Sequence, residues 1–192
     1  VRAALSELHN GCVPRSERRY PEIFEYLGWC SWDAFRTEVS EQKLLQKCSE
    51  FKEKNIPVKW VIIDDMWADT PHLNEPGVKM HDCKLSSFHA DKARFPSGLD
   101  GCIEKLHARG LKVGMWHPTT GYWSGIEENG QISKDMPQAL IRVRRYHTKR
   151  AEYSEKTQLV HAPDYESAKT FYESFHAYLK NCGADFIKVD NQ

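Results

Sequence analysis

The sequence has no net charge, because 27 lysine and arginine residues are balanced by 27 aspartate and glutamate residues. This balance argues against nucleic acid or an anionic membrane as the main partner, since both attract strongly basic surfaces. The sequence also lacks an apolar run of membrane-spanning length and a signal-peptide pattern. The cysteines described next lead us to expect a cytoplasmic protein. Its 40% hydrophobic and 28% charged residues are typical of a soluble globular chain of about one domain.

Cysteine patterns that bind metals or form redox pairs are also missing. The sequence has no C-x-x-C pair among its cysteines, which are Cys12, Cys30, Cys48, Cys83, Cys102 and Cys182. Three of them (48, 102 and 182) fall on predicted helices. Most are therefore expected to be reduced, buried thiols, as is usual in a cytoplasm.

Other metal-binding and phosphate-binding motifs are absent. There is no H-x-H or H-E-x-x-H pattern, although His81, Asp82 and His117 leave a metal-dependent hydrolase open as an alternative. The basic run at 142–150 adjoins no glycine-rich turn and no helix start, so we interpret it as a solvated, mobile loop. No cofactor is predicted.

Strands and helices alternate along the chain. Strands are predicted at 27–35, 58–65, 112–117 and 186–190, the first of them running into a loop. Helices are predicted between them at 40–54, 99–110 and 164–183, with Ser40 and Asp164 as N-caps. Nearly continuous apolar strands are typical of a parallel sheet that is covered on both faces. The pattern predicts an α/β fold.

The connections between these elements are unequal in length. Two strand-to-helix connections, 68–97 and 118–163, are long, whereas the helix-to-strand connections are short. Long loops at the carboxyl ends of parallel strands share one edge of the sheet, where α/β enzymes form their sites. The polar and aromatic residues near those ends are Asp33, Asp64, Asp65, Trp67, Trp116, His117, Lys188 and Asp190.

The last strand contains the strongest catalytic candidate. Side chains alternate along a strand, so Lys188 and Asp190 share one face. A lysine beside the aspartate favours the ionised form that a nucleophile needs. The alternative is an ordinary strand whose Lys–Asp pair is solvated at its end.

Two further segments suit a sugar. Asp64 and Asp65 can accept hydrogen bonds from vicinal hydroxyls, and Trp67 can cover the apolar face of a sugar ring. Alternatively, one aspartate caps a turn and the other is solvated. The segment 121–125 places Tyr122 and Trp123 between glycines, as a pocket wall or a surface loop.

Four segments together resemble the α-galactosidases of glycoside hydrolase family 36, in particular the raffinose synthase and seed imbibition protein branch. They are Gly28-Trp29-Cys30-Ser31-Trp32-Asp33-Ala34-Phe35, Ile62-Ile63-Asp64-Asp65-Met66-Trp67, Trp116-His117 with Gly121-Tyr122-Trp123, and Lys188-Val189-Asp190. The resemblance covers residues 27–192. Residues 1–26 are an approach segment that we leave unassigned.

The resemblance implies a (β/α)8 TIM-barrel catalytic domain, of which residues 27–192 would supply about the first four β/α units. It implies retaining hydrolysis of α-galactosides, such as raffinose-type oligosaccharides, with no metal and no cofactor. Asp190 would be the nucleophile. The substrate-binding residues would be Asp64, Asp65 and Lys188, with Trp29, Trp67 and Trp116 as pocket aromatics.

Some features depart from the family pattern. The family's acid/base aspartate lies on a later strand than those matched here, and Pro118-Thr119-Thr120 replaces a different tripeptide. We therefore expect a domain that is truncated at its C-terminus, inactive by itself, and poorly soluble or oligomeric. The alternatives are a galactosyltransferase of the raffinose synthase type and a non-catalytic galactoside-binding module.

Overall fold

The structure is a computed structural model that describes residues 14–71, 73, 75–144 and 157–190. The strands are β1 (Leu27–Cys30), β2 (Val58–Ile63), β3 (Lys112–Pro118), β4 (Leu140–Arg144), β5 (Thr157–His161) and β6 (Phe186–Asp190). The α-helices are α1 (Trp32–Phe35), α2 (Glu41–Glu53), α3 (Gly98–His107), α4 (Gln131–Asp135) and α5 (Tyr165–Asn181).

The main sheet is parallel, in the order β1-β2-β3-β6. The register places Cys30 opposite Ile62, Trp116 opposite Lys188 and Pro118 opposite Asp190. All four strands therefore end at the same edge of the sheet. This confirms the predicted α/β class and brings the predicted strand-end residues together.

One face of the sheet forms the core. Alternate residues of β2 and β3 on this face are fully buried: Val61, Ile63, Val113 and Met115. Trp29 of β1 belongs to the same face, where its ring lies 5.5 Å from that of Phe51 on α2. In β3 the intervening residues of the other face, Gly114 and Trp116, are buried as well, which explains why this strand reads as an apolar run in the sequence.

The opposite face of the sheet is built around two glycines. A Cβ on Gly28 would lie 2.0 Å from the Trp60 ring, and one on Gly114 would lie 2.3 Å from the Phe186 ring. The Trp60 and Phe186 rings meet edge to face at 5.7 Å. Each glycine therefore makes room for an aromatic ring from the neighbouring strand. Cys30, Trp116, Lys188 and Asp190 follow on this face, towards the strand ends.

The predicted N-caps are confirmed. Ser40 Oγ accepts a hydrogen bond from the Lys43 N–H at 3.3 Å, and Asp164 Oδ1 accepts one from the Ser167 N–H at 2.9 Å. Each side chain satisfies a backbone donor that the first helical turn leaves without a partner. These two caps fix where α2 and α5 begin.

The connection predicted as one long excursion, 118–163, contains more structure than expected. It includes α4 and an antiparallel pair, β4 with β5, in which Arg142 lies opposite Leu159. The start of the basic run, 142–144, therefore belongs to β4 and is a strand, not a loop. Arg142 also forms an ion pair with Glu128. The remainder of that run, 145–150, lies outside the described residues.

The first strand is also shorter than predicted. It ends at Cys30, and α1 follows directly at Trp32. In the approach segment, the Ile23 carbonyl oxygen accepts a hydrogen bond from the Trp60 Nε1–H at 2.8 Å, and residues 1–13 lie outside the described ranges. The five cysteines within those ranges are free thiols. Among the described helices, none has the length and apolarity needed to cross a membrane.

Candidate active site at the strand ends

Asp64 follows the last residue of β2 and is 3% exposed. Its Oδ2 accepts hydrogen bonds from Lys188 Nζ at 2.5 Å and from the Cys30 thiol at 3.0 Å. Its backbone N–H donates to Ser31 Oγ at 2.9 Å. Residues from β1, β2 and β6 therefore converge on one carboxylate, which fixes its orientation.

Lys188 is the cation of the site. Burial lowers the pKa of its ammonium group, but the hydrogen bond to Asp64 and the charges of Asp64 and Asp190 outweigh burial and raise the pKa. Lys188 therefore stays charged at neutral pH. Its charge interacts with both Asp64 and Asp190.

Asp190 lies at the end of β6 and is half-buried. Its Oδ2 accepts a hydrogen bond from the Trp116 Nε1–H at 3.0 Å, and its backbone oxygen accepts one from the Thr119 N–H at 3.2 Å. The indole of Trp116 thus orients the carboxylate that the sequence singles out as the nucleophile. Trp116 itself is almost fully buried, so this donor has a fixed position.

Asp65 is 2% exposed and accepts hydrogen bonds on both oxygens. Oδ1 accepts from the Tyr122 hydroxyl and from the Met66 N–H, the latter at 2.6 Å, and Oδ2 accepts from the Trp123 Nε1–H at 2.5 Å. Burial raises the pKa of this carboxyl to about 6, and the negative charge of Asp64 also raises it. The three hydrogen-bond donors lower the pKa, because they favour the ionised form. Asp65 is therefore poised to titrate near neutral pH.

The backbone turns sharply after the two aspartates. Met66 has a φ of 70°, in the left-handed region that side chains other than glycine rarely adopt. Its N–H donates to Asp65 and Tyr122, and its carbonyl oxygen accepts from Arg94 Nη1 at 2.7 Å. This turn lets two adjacent aspartates both be buried while they bond to different sides of the site.

The three predicted pocket tryptophans have different environments. Trp116 lies in the site, beside Asp190. Trp67 is 1% exposed, and its indole N–H donates to the Trp116 carbonyl oxygen at 2.7 Å, so it supports Trp116 from the core. Trp29 packs against Phe35 and Phe51 on the opposite face of the sheet and is not brought together with the carboxylates.

The residues of the metal alternative are also separated. His117 is buried on the helix side of the sheet, where burial lowers its pKa and its Nε2 lies 3.0 Å from His176 Nε2. The His81 ring instead packs edge to face on Trp123 at 5.2 Å. Within the described ranges, no group of three or more His, Cys, Asp or Glu side chains is arranged to bind a metal ion.

Several site residues were not singled out for these roles by sequence reasoning. Cys30 and Ser31 bond to Asp64, Arg94 holds the turn at Met66, and Tyr122 bonds to Asp65. Strand alternation could have found Cys30, because it lies on the same face as Gly28. Arg94 comes from a loop far along the chain and carries no local signal.

Together, these groups form an acidic site that contains a lysine and several indole rings. Asp64, Asp65 and Asp190 provide acceptors for hydroxyl donors, Lys188 limits the repulsion between them, and the indole of Trp116 lies alongside. Such a set suits a neutral polyhydroxylated ligand better than an anion. One carboxylate at the end of a strand, oriented by an indole N–H, also fits a nucleophile.

The family model described as "Raffinose synthase or seed imbibition protein Sip1" matches residues 3–192. The chain therefore belongs to the raffinose synthase and seed imbibition protein family. It is 30% identical, over 97% of its length, to a probable galactinol–sucrose galactosyltransferase 6 from Arabidopsis thaliana, and 26% identical, over 91%, to the galactinol–sucrose galactosyltransferase of rice, Oryza sativa subsp. japonica. The chain spans 27% and 25% of the length of these two relatives.

Solved structures of α-galactosidases have the same fold over most of the chain. The galactosidase domain of the α-galactosidase–sucrose kinase AgaSK superposes with a TM-score of 0.60 at 18% identity, covering 86% of this chain and 21% of that one. An α-galactosidase from Thermus thermophilus, in complex with p-nitrophenyl α-D-galactopyranoside, gives 0.59 at 20% identity, covering 86% and 30%. The resemblance to family 36 and its raffinose synthase branch, expected from the sequence, is confirmed.

Proposed function

We propose that this chain forms the galactose-binding and nucleophile-bearing part of a retaining enzyme that acts on α-galactosides. The observation that carries the proposal is the position of Asp190 at a strand end, bonded to the Trp116 indole at 3.0 Å and within the field of Lys188. Membership of a family whose relatives are named galactosyltransferases supports the substrate class.

In this mechanism Asp190 attacks the anomeric carbon of an α-galactoside. The bond to the leaving oxygen breaks as the bond to Asp190 forms, which gives a β-linked galactosyl-enzyme. A second attack, by water or by a sugar hydroxyl, restores the α configuration. Asp64, Asp65 and Lys188 would bind hydroxyls of the galactose, because all three lie at the edge where the parallel strands end.

The step also needs a general acid about 5–5.5 Å from the nucleophile. We assign none of the described residues to it, since the carboxylates of Asp64 and Asp65 are engaged by Lys188, Cys30, Tyr122 and Trp123. We propose that the acid comes from a later strand of a (β/α)8 barrel. Four parallel strands in sequential order, β1-β2-β3-β6, are what the first half of such a barrel would contribute.

The test is chemical rescue in the full-length protein. Asp190→Gly should reduce turnover of an aryl α-galactoside by at least about a thousandfold. Azide should restore turnover by occupying the vacated space, and the product should be the β-galactosyl azide. The matched control is Asp135→Gly, which makes the same change at an exposed aspartate at the end of α4 and should leave the rate unchanged. Near wild-type turnover by Asp190→Gly without azide would refute the assignment.

Transfer to a sugar acceptor is the second candidate, favoured by the likeness to galactinol–sucrose galactosyltransferases over 97% of the chain. Hydrolysis and transfer share the galactosyl-enzyme and differ only in what attacks it. Incubation with galactinol in the presence of sucrose separates them. Release of free galactose alone indicates a hydrolase, whereas a galactosylated sucrose formed faster than free galactose indicates a transferase.

A further inference from the structure

Asp65 is held almost entirely by one loop, which follows β3. The Tyr122 hydroxyl donates to Oδ1 and the Trp123 indole donates to Oδ2. These donors come from adjacent residues, 57 and 58 positions along the chain from Asp65. Both oxygens of one carboxylate are thus bonded by two consecutive side chains.

This loop is itself fixed in place. Gly121 and Gly125, which flank it, have φ values of 88° and 81°, so the chain turns on both sides of the two aromatic residues. Tyr122 is 1% exposed. The Trp123 ring lies 6.0 Å from that of Trp116, next to the nucleophile. The loop therefore links the Asp65 carboxylate to the aromatic wall of the site.

We propose that Tyr122 and Trp123 are positioning residues, which keep the Asp65 carboxylate ionised and aimed so that its remaining acceptor capacity meets a substrate hydroxyl. The contact between Asp65 and a substrate hydroxyl rests on the proposed function. The hydrogen bonds by which Tyr122 and Trp123 hold Asp65 do not depend on it. A carboxylate accepts about four hydrogen bonds, and three of them are occupied by the Tyr122 hydroxyl, the Met66 N–H and the Trp123 indole. The remaining lone pair is on Oδ2. Because the Trp123 indole bonds to the other lone pair of the same oxygen, it determines the direction in which the remaining one points.

The arrangement has a direct consequence for protonation. The titratable groups that face Asp65 are Asp64 at the β2 exit, Tyr122 in the loop after β3 and Cys83. Burial and the charge of Asp64 favour the protonated acid, while the hydroxyl and indole donors favour the carboxylate. Removing either donor should therefore raise the pKa of Asp65 further.

The experiment compares Tyr122→Phe with Tyr172→Phe in the full-length protein. Both changes delete one hydroxyl and keep the ring. The Tyr172 hydroxyl donates to the Thr119 carbonyl oxygen at 2.6 Å, so it bonds to the other end of the same loop without touching a carboxylate. Trp123→Phe is the second variant, which removes the indole donor and serves if Tyr122→Phe does not fold.

Turnover of an aryl α-galactoside is measured between pH 5 and 8. For Tyr122→Phe and Trp123→Phe, a rise of one unit above a pKa of about 6 lowers the ionised fraction of Asp65 about fivefold at pH 6 and by only about a tenth at pH 8. Their kcat/KM should therefore fall about fivefold more at pH 6 than at pH 8. Tyr172→Phe should change kcat/KM by the same factor at every pH. A pH-independent effect of both donor variants would overturn the proposal.

A second measurement does not depend on activity. Tm is recorded for the same variants over the same pH range without ligand. Deleting a donor to an ionised carboxylate should lower Tm more at pH 8 than at pH 5, because Asp65 is protonated at the lower pH. If this trend appears while no α-galactoside is turned over, the proposed function fails and the positioning role stands. If the trend is absent in an active enzyme, the positioning role alone fails.

Discussion

The indole N–H of Trp116 on β3 donates to the carboxylate of Asp190 on β6 at 3.0 Å. The contact is diagonal, because Trp116 lies opposite Lys188 and Asp190 lies two residues further along β6, opposite Pro118. The carbonyl oxygen of the same tryptophan accepts from the Trp67 indole at 2.7 Å. Trp116 is therefore held from the core side and holds the nucleophile candidate on the site side.

Trp116→Phe keeps an aromatic ring and deletes this donor. A hydrogen bond to a charged group contributes about 1.5–3 kcal/mol, so kcat should fall by roughly ten- to a hundredfold. The control is Trp60→Phe, whose indole donates to the Ile23 carbonyl oxygen at 2.8 Å, at the other end of the same sheet face. Steady-state kinetics of both variants should show a loss of kcat for Trp116→Phe alone; equal losses would contradict a specific role for the Trp116 donor.

Lys188 and Asp64 form an ion pair at 2.5 Å whose partners are 36% and 4% exposed. Lys188→Met should lower both stability and galactose affinity, since it leaves a buried carboxylate without its cation. A double-mutant cycle with Asp64→Asn should give a coupling of about 0.5–3 kcal/mol in urea unfolding.

The Glu41–Lys105 pair is the matched control for this prediction, because it has the same 2.5 Å separation and partners that are 7% and 46% exposed. It lies between α2 and α3, away from the strand ends. Lys105→Met should lower stability and leave galactose affinity, measured by calorimetry, unchanged. If Lys188→Met also left the affinity unchanged, Lys188 would have a structural role only.

Met66→Gly tests whether backbone strain or packing dominates at the turn after Asp65. Glycine would relieve a left-handed φ of 70°, a gain of about 1–2 kcal/mol. It would also remove a side chain that is 0% exposed, and truncating a buried methionine costs about 2–5 kcal/mol. We therefore expect net destabilisation. Asn55→Gly, at an exposed residue with a φ of 53°, should change the free energy of unfolding by less than about 1 kcal/mol. A more stable Met66→Gly variant would show that strain dominates.

Gly114→Ala tests the packing of Phe186 on β3. The added methyl group would lie 2.3 Å from the ring, so the variant should be destabilised by about 1–3 kcal/mol through overpacking. Phe186→Leu in the same chain should recover part of this loss by making room. The free energy of unfolding, measured with denaturant for both single variants and the double variant, checks this recovery. An additive double variant would mean that the two residues do not compete for space.

Local patterns predicted much of the fold. The apolar strands, the helical spacing of the apolar residues and the caps at Ser40 and Asp164 were all readable, because each depends on neighbours within a few positions. The hairpin of β4 and β5 was not predicted. β4 carries two arginines and has no buried residue, and β5 has adjacent apolar residues, Leu159 and Val160, so neither strand shows a regular apolar alternation.

The sequence by itself determined which residue types stand at the strand ends, since the strand ends follow from local periodicity. It therefore predicted that Asp64, Lys188 and Asp190 lie at one edge of the sheet. Only the tertiary structure decided what each of them bonds to. Tyr122 reaches Asp65 from 57 positions away, and Lys188 reaches Asp64 from 124. Such contacts depend on strand order and register, which no local pattern encodes. The register also decides that Trp116 lies within the site, whereas Trp29 lies on the core side of the sheet.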